Sequence, residues 1–143
     1  MNEIMRYHRK ISGPLLDRID LMVEMPAVSY EDLENTTPAE SSASIKERVV
    51  RAHKIQLERF RNEGIFFNAQ MNAAQIEKYC PLQPKEQDIL RSAFQRMEMS
   101  ARAYHKVLKL ARTAADLEGA EQITLKHLLE VLQYRSLDRK YLL

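Results

Sequence analysis

The sequence predicts a mainly α-helical protein: a bundle of about five helices over residues 44–143, preceded by a short helix–strand unit. Three observations carry that prediction. Capping residues stand ahead of apolar runs at Ser44-x-x-Glu47, Asn72-x-x-Gln75, Ser100 and Thr124. The apolar residues behind them recur at steps of three and four. Residues 26–43, PAVSYEDLENTTPAESSA, hold two prolines, many hydroxyls and acids, and no sustained periodicity, so they read as a linker or hinge.

Taken in order, Gly13-Pro14 breaks the chain, and Pro14 can open a short helix with Leu15, Leu16 and Ile19 as its apolar positions. Leu21, Val23 and Met25 then alternate with Met22 and Glu24, a short strand signal. A unit this small cannot bury both of its faces, so it resembles the end of something larger. Past the linker, the Ser44 cap predicts a helix to about Asn62, stopped at Gly64. Asn72 and Gln75 box a short helix that Pro81 ends. Pro84 starts the next, with Ile89, Leu90, Ala93, Phe94 and Met97 on one face. Ser100 caps a longer helix whose seam is Ala103, Val107, Leu110, Ala114 and Leu117, closed by Gly119. Thr124 opens the last, with Leu125, Leu128, Leu129 and Leu132 inward. Phe66-Phe67 is expected to plug the core from a loop, and Cys80 to be a small buried apolar side chain.

Composition narrows the function classes. The three glycines, Gly13, Gly64 and Gly119, cannot write GxxxxGK[ST] or GxGxxG, so the chain encodes no complete P-loop or dinucleotide site. No run approaches the roughly 18 apolar residues of a membrane helix. The single cysteine allows no internal disulfide, which suits a reducing cytoplasm. The four histidines lie far apart without CxxC or HExxH, so no metal site is expected. The formal charge of +2 is unevenly spread: residues 1–43 carry −4 and residues 44–143 carry +6.

Two arginines are candidates for chemistry. Arg18 follows Leu-Leu-Asp at the handover from helix to strand, where a planar guanidinium fork suits a phosphate. On spacing alone, a surface salt bridge with Asp17 or Asp20 is the more ordinary reading. Arg102 stands in the first turn of its helix, where unpaired backbone N–H groups favour an anion, and Lys106 and Lys109 extend the stripe. A solvated polar face accounts for such a stripe as well. Lys46, Arg48, Arg51, Lys54, Arg59 and Arg61 make residues 44–61 basic, but acids interrupt them and no aromatic stacking motif is interleaved, a weak footing for nucleic acid.

Two long runs carry a family resemblance. YHRKISGPLLDRIDL at 7–21 and SARAYHKVLKLARTAADLEG at 100–119, with His127 and LQYR at 132–135, resemble the magnesium-chelatase-like AAA+ ATPases of the ComM/YifB type, in the family's order. The resemblance covers nearly the whole chain and departs in one respect: Walker A, Walker B and sensor 1 precede the first motif in such proteins. It therefore implies a C-terminal segment, with residues 1–25 the remnant of the α/β ATPase core, 26–43 a hinge and 44–143 a helical lid. It maps the arginine finger, acting in trans on a neighbouring protomer's nucleotide, onto Arg18, and sensor 2 onto Arg102. Lys106 and Lys109 become possible phosphate or DNA contacts. ATP with magnesium is implied for the full-length protein and no cofactor for this segment alone, which is expected not to hydrolyse ATP by itself. The implied partners are its own N-terminal core and neighbouring protomers of a cytoplasmic ring, a hexamer, with DNA as the substrate to be remodelled and no membrane. A stand-alone helical DNA-binding or adaptor module is the alternative.

Overall fold

The computed structural model describes residues 15, 18–34 and 36–135 of the chain. The expected helix opened by Pro14, with Leu16 in it, and the terminal Tyr141, Leu142 and Leu143 fall outside the described residues. Among the described residues the helices are, in order, α1 (Tyr30–Glu34), α2 (Ser42–Arg59), α3 (Ala73–Tyr79), α4 (Pro84–Arg96), α5 (Ala101–Glu118) and α6 (Leu125–Gln133), with a 3-10 turn at Asn68–Gln70 between α2 and α3. Helices α2 to α6 form the expected five-helix bundle. No strand forms among the described residues.

The strand expected at Leu21, Val23 and Met25 is thus absent. A strand requires a neighbour for its N–H and C=O groups, and no second strand is at hand among the described residues. The three side chains remain exposed, Met25 at 84%. Bonds that fasten the segment instead include Met22 N donating to the Tyr134 carbonyl at 3.2 Å and Lys106 on α5 reaching Asp20 and the Arg18 carbonyl. Within the linker lies the five-residue α1, none of whose residues is buried.

Helix α2 begins earlier than its expected Ser44 cap. Ser41 is the N-cap, extended at φ −70° and ψ 147°, and its hydroxyl accepts from Ser44 N at 3.2 Å. Glu40 explains the shift. Its carboxylate accepts from the Ser44 hydroxyl at 2.8 Å and from Arg48 at 2.7 Å, drawing the first turn back over residues 41–44. The helix ends at Arg59, and the turn behind it passes through Gly64 at φ +68°. Its first ten residues, 42–51, are exposed on every side. Ile45 and Val49 continue the line of the buried Ala52 and Gln56 without cover.

The other termini follow the sequence. Asn72 and Gln75 form a reciprocal box at 2.9 and 3.0 Å, Pro84 is the first residue of α4, and Ser100 caps α5 through Ala103 N at 3.1 Å. Gly119 closes α5 in the left-handed region at φ +75°.

α5 is the axis of the fold, packing on α2, α3, α6 and the 3-10 turn. That central position rotates its buried face from the expected seam. Ala103 and Val107 are buried as expected, but the line continues through Leu108, Ala111, Arg112, Ala115 and Asp116, and Leu117 is 47% exposed. A helix covered on several sides buries more than one stripe, and here the second stripe holds two charges. On α6, Leu128 is buried with His127 and Val131, whereas Leu129 faces out. The core plug is Phe60, at 2% exposure, rather than Phe66 or Phe67, which are half exposed. Phe67 instead stacks on His53 at 4.8 Å between ring centres. Cys80 is buried as expected, and burial pushes its thiol up to about 11, which removes it as a nucleophile. Among the described residues, no helix is long and apolar enough to cross a membrane.

Candidate phosphate-binding cleft

Ser100 fixes where α5 begins, and that places Arg102 in its first turn with Lys106 and Lys109 one and two turns on. All three line a single cleft of ≈ 660 Å³, whose other walls include Asp20, Asn72 and Thr113. A larger hollow of ≈ 880 Å³ lies between α3, α4 and α5, lined mainly by apolar side chains such as Ile76, Leu90, Phe94 and Leu108. The cationic cleft is the one whose lining suits an anion.

The stripe therefore lines a cavity, with Arg102 exposed and the two lysines half-buried, and the lysines already have partners. Lys106 Nζ lies 2.7 Å from Asp20 Oδ1 and donates to the Arg18 carbonyl at 2.7 Å. Lys109 Nζ donates to the Ala69 carbonyl at 2.9 Å. Burial pushes the Lys109 ammonium below the usual lysine range. A cation partly stripped of water attracts an incoming anion more strongly than a solvated one.

One wall of the cleft is set by a buried polar network that the sequence reading missed. Asn68 opens the 3-10 turn that presents the Ala69 carbonyl. Its backbone N–H donates to Gln56 Oε1 at 3.1 Å, and its side chain donates to Asp116 at 2.8 Å and to Thr113 at 3.0 Å. Arg59 donates to both Asn68 (2.9 Å) and Asp116 (2.7 Å). Arg112 bonds Asp116 from one turn away and reaches the carbonyls of Ala120 and Glu121 at 2.6 and 2.8 Å. Its desolvation lowers the guanidinium's affinity for its proton, which the Asp116 charge opposes. The network ties α2, the 3-10 turn, α5 and the α5–α6 loop into one unit behind Lys109. The signal available in sequence was an Arg–Asp pair at i, i+4 within an alanine-rich helix.

Arg18 is exposed, and its carbonyl is held by the side chain of Lys106, which lines the cleft. Of the four residues singled out in sequence, Arg102, Lys106 and Lys109 converge on one cavity and Arg18 stands beside it. The basic stretch 44–61 is partly neutralised: Arg48 pairs with Glu40, Arg59 with Asp116 and Arg61 with Glu58.

Comparison with known proteins gives this arrangement a setting. The family described as magnesium chelatase, subunit ChlI C-terminal, matches residues 39–135, and the family described as magnesium chelatase, subunit ChlI, matches residues 1–33. Competence protein ComM of Haemophilus influenzae is 42% identical over 138 residues, 96% of this chain and 26% of that protein. The uncharacterized protein YifB of Salmonella typhimurium is 38% identical over the same length and shares. An uncharacterized protein of Mycobacterium tuberculosis is 29% identical over 130 residues, 91% of this chain and 26% of that protein. The chain thus spans about a quarter of the length of the relatives it matches. With more than half of its residues matched by one family, and with the ComM and YifB proteins aligned along almost all of it, the chain belongs to the magnesium chelatase ChlI C-terminal family.

Proposed function

We propose that the chain is the lid-bearing segment of an AAA+ ring ATPase and supplies two arginines to ATP hydrolysis between subunits. Arg102 acts as sensor 2 toward the nucleotide's phosphates, and Arg18 acts as the arginine finger on the nucleotide of a neighbouring protomer. The observation that carries this reading is the convergence of Arg102, Lys106 and Lys109 on one cleft with Arg18 held alongside. Three cations at the first turns of a capped helix are a lining that fits a polyphosphate tail. Among the described residues no group of three His, Cys, Asp or Glu gathers to hold a metal ion.

Residues 1–25 then belong to the end of the ATPase core, 26–43 act as the hinge and 44–143 as the lid. A lid on a hinge can close over a nucleotide and carry hydrolysis into subunit motion. Work on DNA by a hexameric ring in the cytoplasm is proposed on likeness to the ComM branch alone. The test is Arg18→Ala in the full-length protein. Hydrolysis should fall by about 10³-fold or more, while nucleotide binding, measured by titration calorimetry, stays close to wild type. Normal turnover in that variant would remove the finger assignment.

A further inference from the structure

One cation of the cleft, Lys106, already has an anion, and the chain itself provides it. Asp20 Oδ1 meets Lys106 Nζ at 2.7 Å. The lysine side chain is 14% exposed and the aspartate 62%, so the cation forms the floor and the carboxylate lies at the mouth. The same nitrogen takes the Arg18 carbonyl at 2.7 Å, so one ammonium holds both ends of the Arg18–Asp20 segment. Asp20 also acts on Lys109, where its charge opposes the effect of burial. A carboxylate in this position does what a phosphate oxygen would do: it neutralises half-buried lysines while leaving Arg102 lining the same cavity.

An incoming phosphate cannot share this place with Asp20. Two anions on one ammonium repel each other, and the phosphate brings more charge and more acceptor oxygens. The aspartate side of the pair is exposed, and pairs of that kind are weak and readily broken. Beyond Asp20, Met22 N on the Tyr134 carbonyl, at 3.2 Å, is the next hold on the segment among the described bonds.

We propose that Asp20 is an internal competitor for the cleft: a polyphosphate that enters among Arg102, Lys106 and Lys109 displaces it and releases the segment that carries Arg18. The proposal rests on the phosphate reading of the cleft given above and adds its regulation. With the cleft empty, the chain's own lid holds Arg18. With the cleft filled, Arg18 is free to turn toward a neighbour. Competition makes this quantitative, because the factor by which removing Asp20 tightens phosphate is one plus the ratio of Asp20-bound to Asp20-free cleft in the absence of ligand.

The experiment uses inorganic tripolyphosphate and the 143-residue chain. Affinity is measured by calorimetry at low salt, and release by hydrogen exchange of the Met22 amide. Asp20→Asn should bind about fivefold tighter or more than wild type. Asp32→Asn, which removes the same charge from a carboxylate that bonds Ser29 in the linker, should bind as wild type does. Saturating tripolyphosphate should speed Met22 exchange in wild type. Lys106→Met should weaken binding and leave that exchange fast with or without ligand. Equal affinity in wild type and Asp20→Asn, equal tightening by Asp32→Asn, or Met22 exchange indifferent to ligand would each overturn the competitor role while leaving the phosphate reading in place. Absence of binding in wild type and Asp20→Asn alike would remove both, independently of the hydrolysis result for Arg18→Ala.

Discussion

Asp116 has a fully covered side chain, with two arginines and an asparagine closed over it. Burying such a group is costly, and a complete network is needed to offset the loss of water. Removing the carboxylate leaves Arg59 and Arg112 as uncompensated charges in the interior. Asp116→Ala should therefore destabilise the fold by about 3–5 kcal/mol in urea unfolding, well above the loss for an exposed pair such as Arg61–Glu58. A difference under about 1 kcal/mol would mean that water enters and solvates the arginines. At this scale the sequence was least legible. Arg112 and Asp116 look like members of a polar face, and nothing in a single helix shows that α2 and the 3-10 turn will cover that face. Arg102, Lys106 and Lys109 were visible because a stripe is a local pattern, but the Asp20 partner lies 86 residues away from Lys106 along the chain.

Helix ends were the most legible features, since a cap involves residues only a few positions apart. Asn72, Pro84, Ser100 and Gly119 all occupy the terminal positions their chemistry suggests. The Ser41 cap was missed because three serines at 41, 42 and 44 can each serve, and Glu40 decides among them. The strand at 21–25 failed for the opposite reason: alternation describes one strand, and a sheet takes two. Gly119 offers a clean test at the level of one helix. A Cβ there would touch nothing within 4 Å, so substitution is opposed by backbone conformation alone. Gly119→Ala at φ +75° should lower stability by about 1–2 kcal/mol, read as a shift in the urea midpoint with unchanged slope. A midpoint equal to wild type would show that the α5–α6 turn relaxes out of the left-handed region.

Across the molecule, acid stability reports how the helices are joined. Glu63, between α2 and α3, accepts from Lys78, Tyr79 and Gln75, and these bonds pull its carboxyl from the ordinary 4.5 down to about 2. Glu118, at the end of α5, is likewise lowered by Lys126 and then His127 on α6. Both carboxylates bind protons less readily in the folded state than in the unfolded one. Their contribution is therefore complete above the unfolded value and is lost as pH falls through the folded one. Stability should decline as pH drops from about 4.5 to about 2, and Glu63→Gln should flatten part of that decline. Identical pH profiles for wild type and Glu63→Gln in urea unfolding would show that the α2–α3 junction does not depend on this charge. The bare first half of α2 has a mechanical consequence. The helix is gripped by the bundle from Ala52 onward, and ten residues at 1.5 Å per residue leave an arm of about 15 Å to Ser42. A small tilt at the gripped end becomes a displacement at the tip in proportion to that arm, so α2 can act as a pointer that converts slight repacking around α5 into a visible swing of whatever is joined at residue 41.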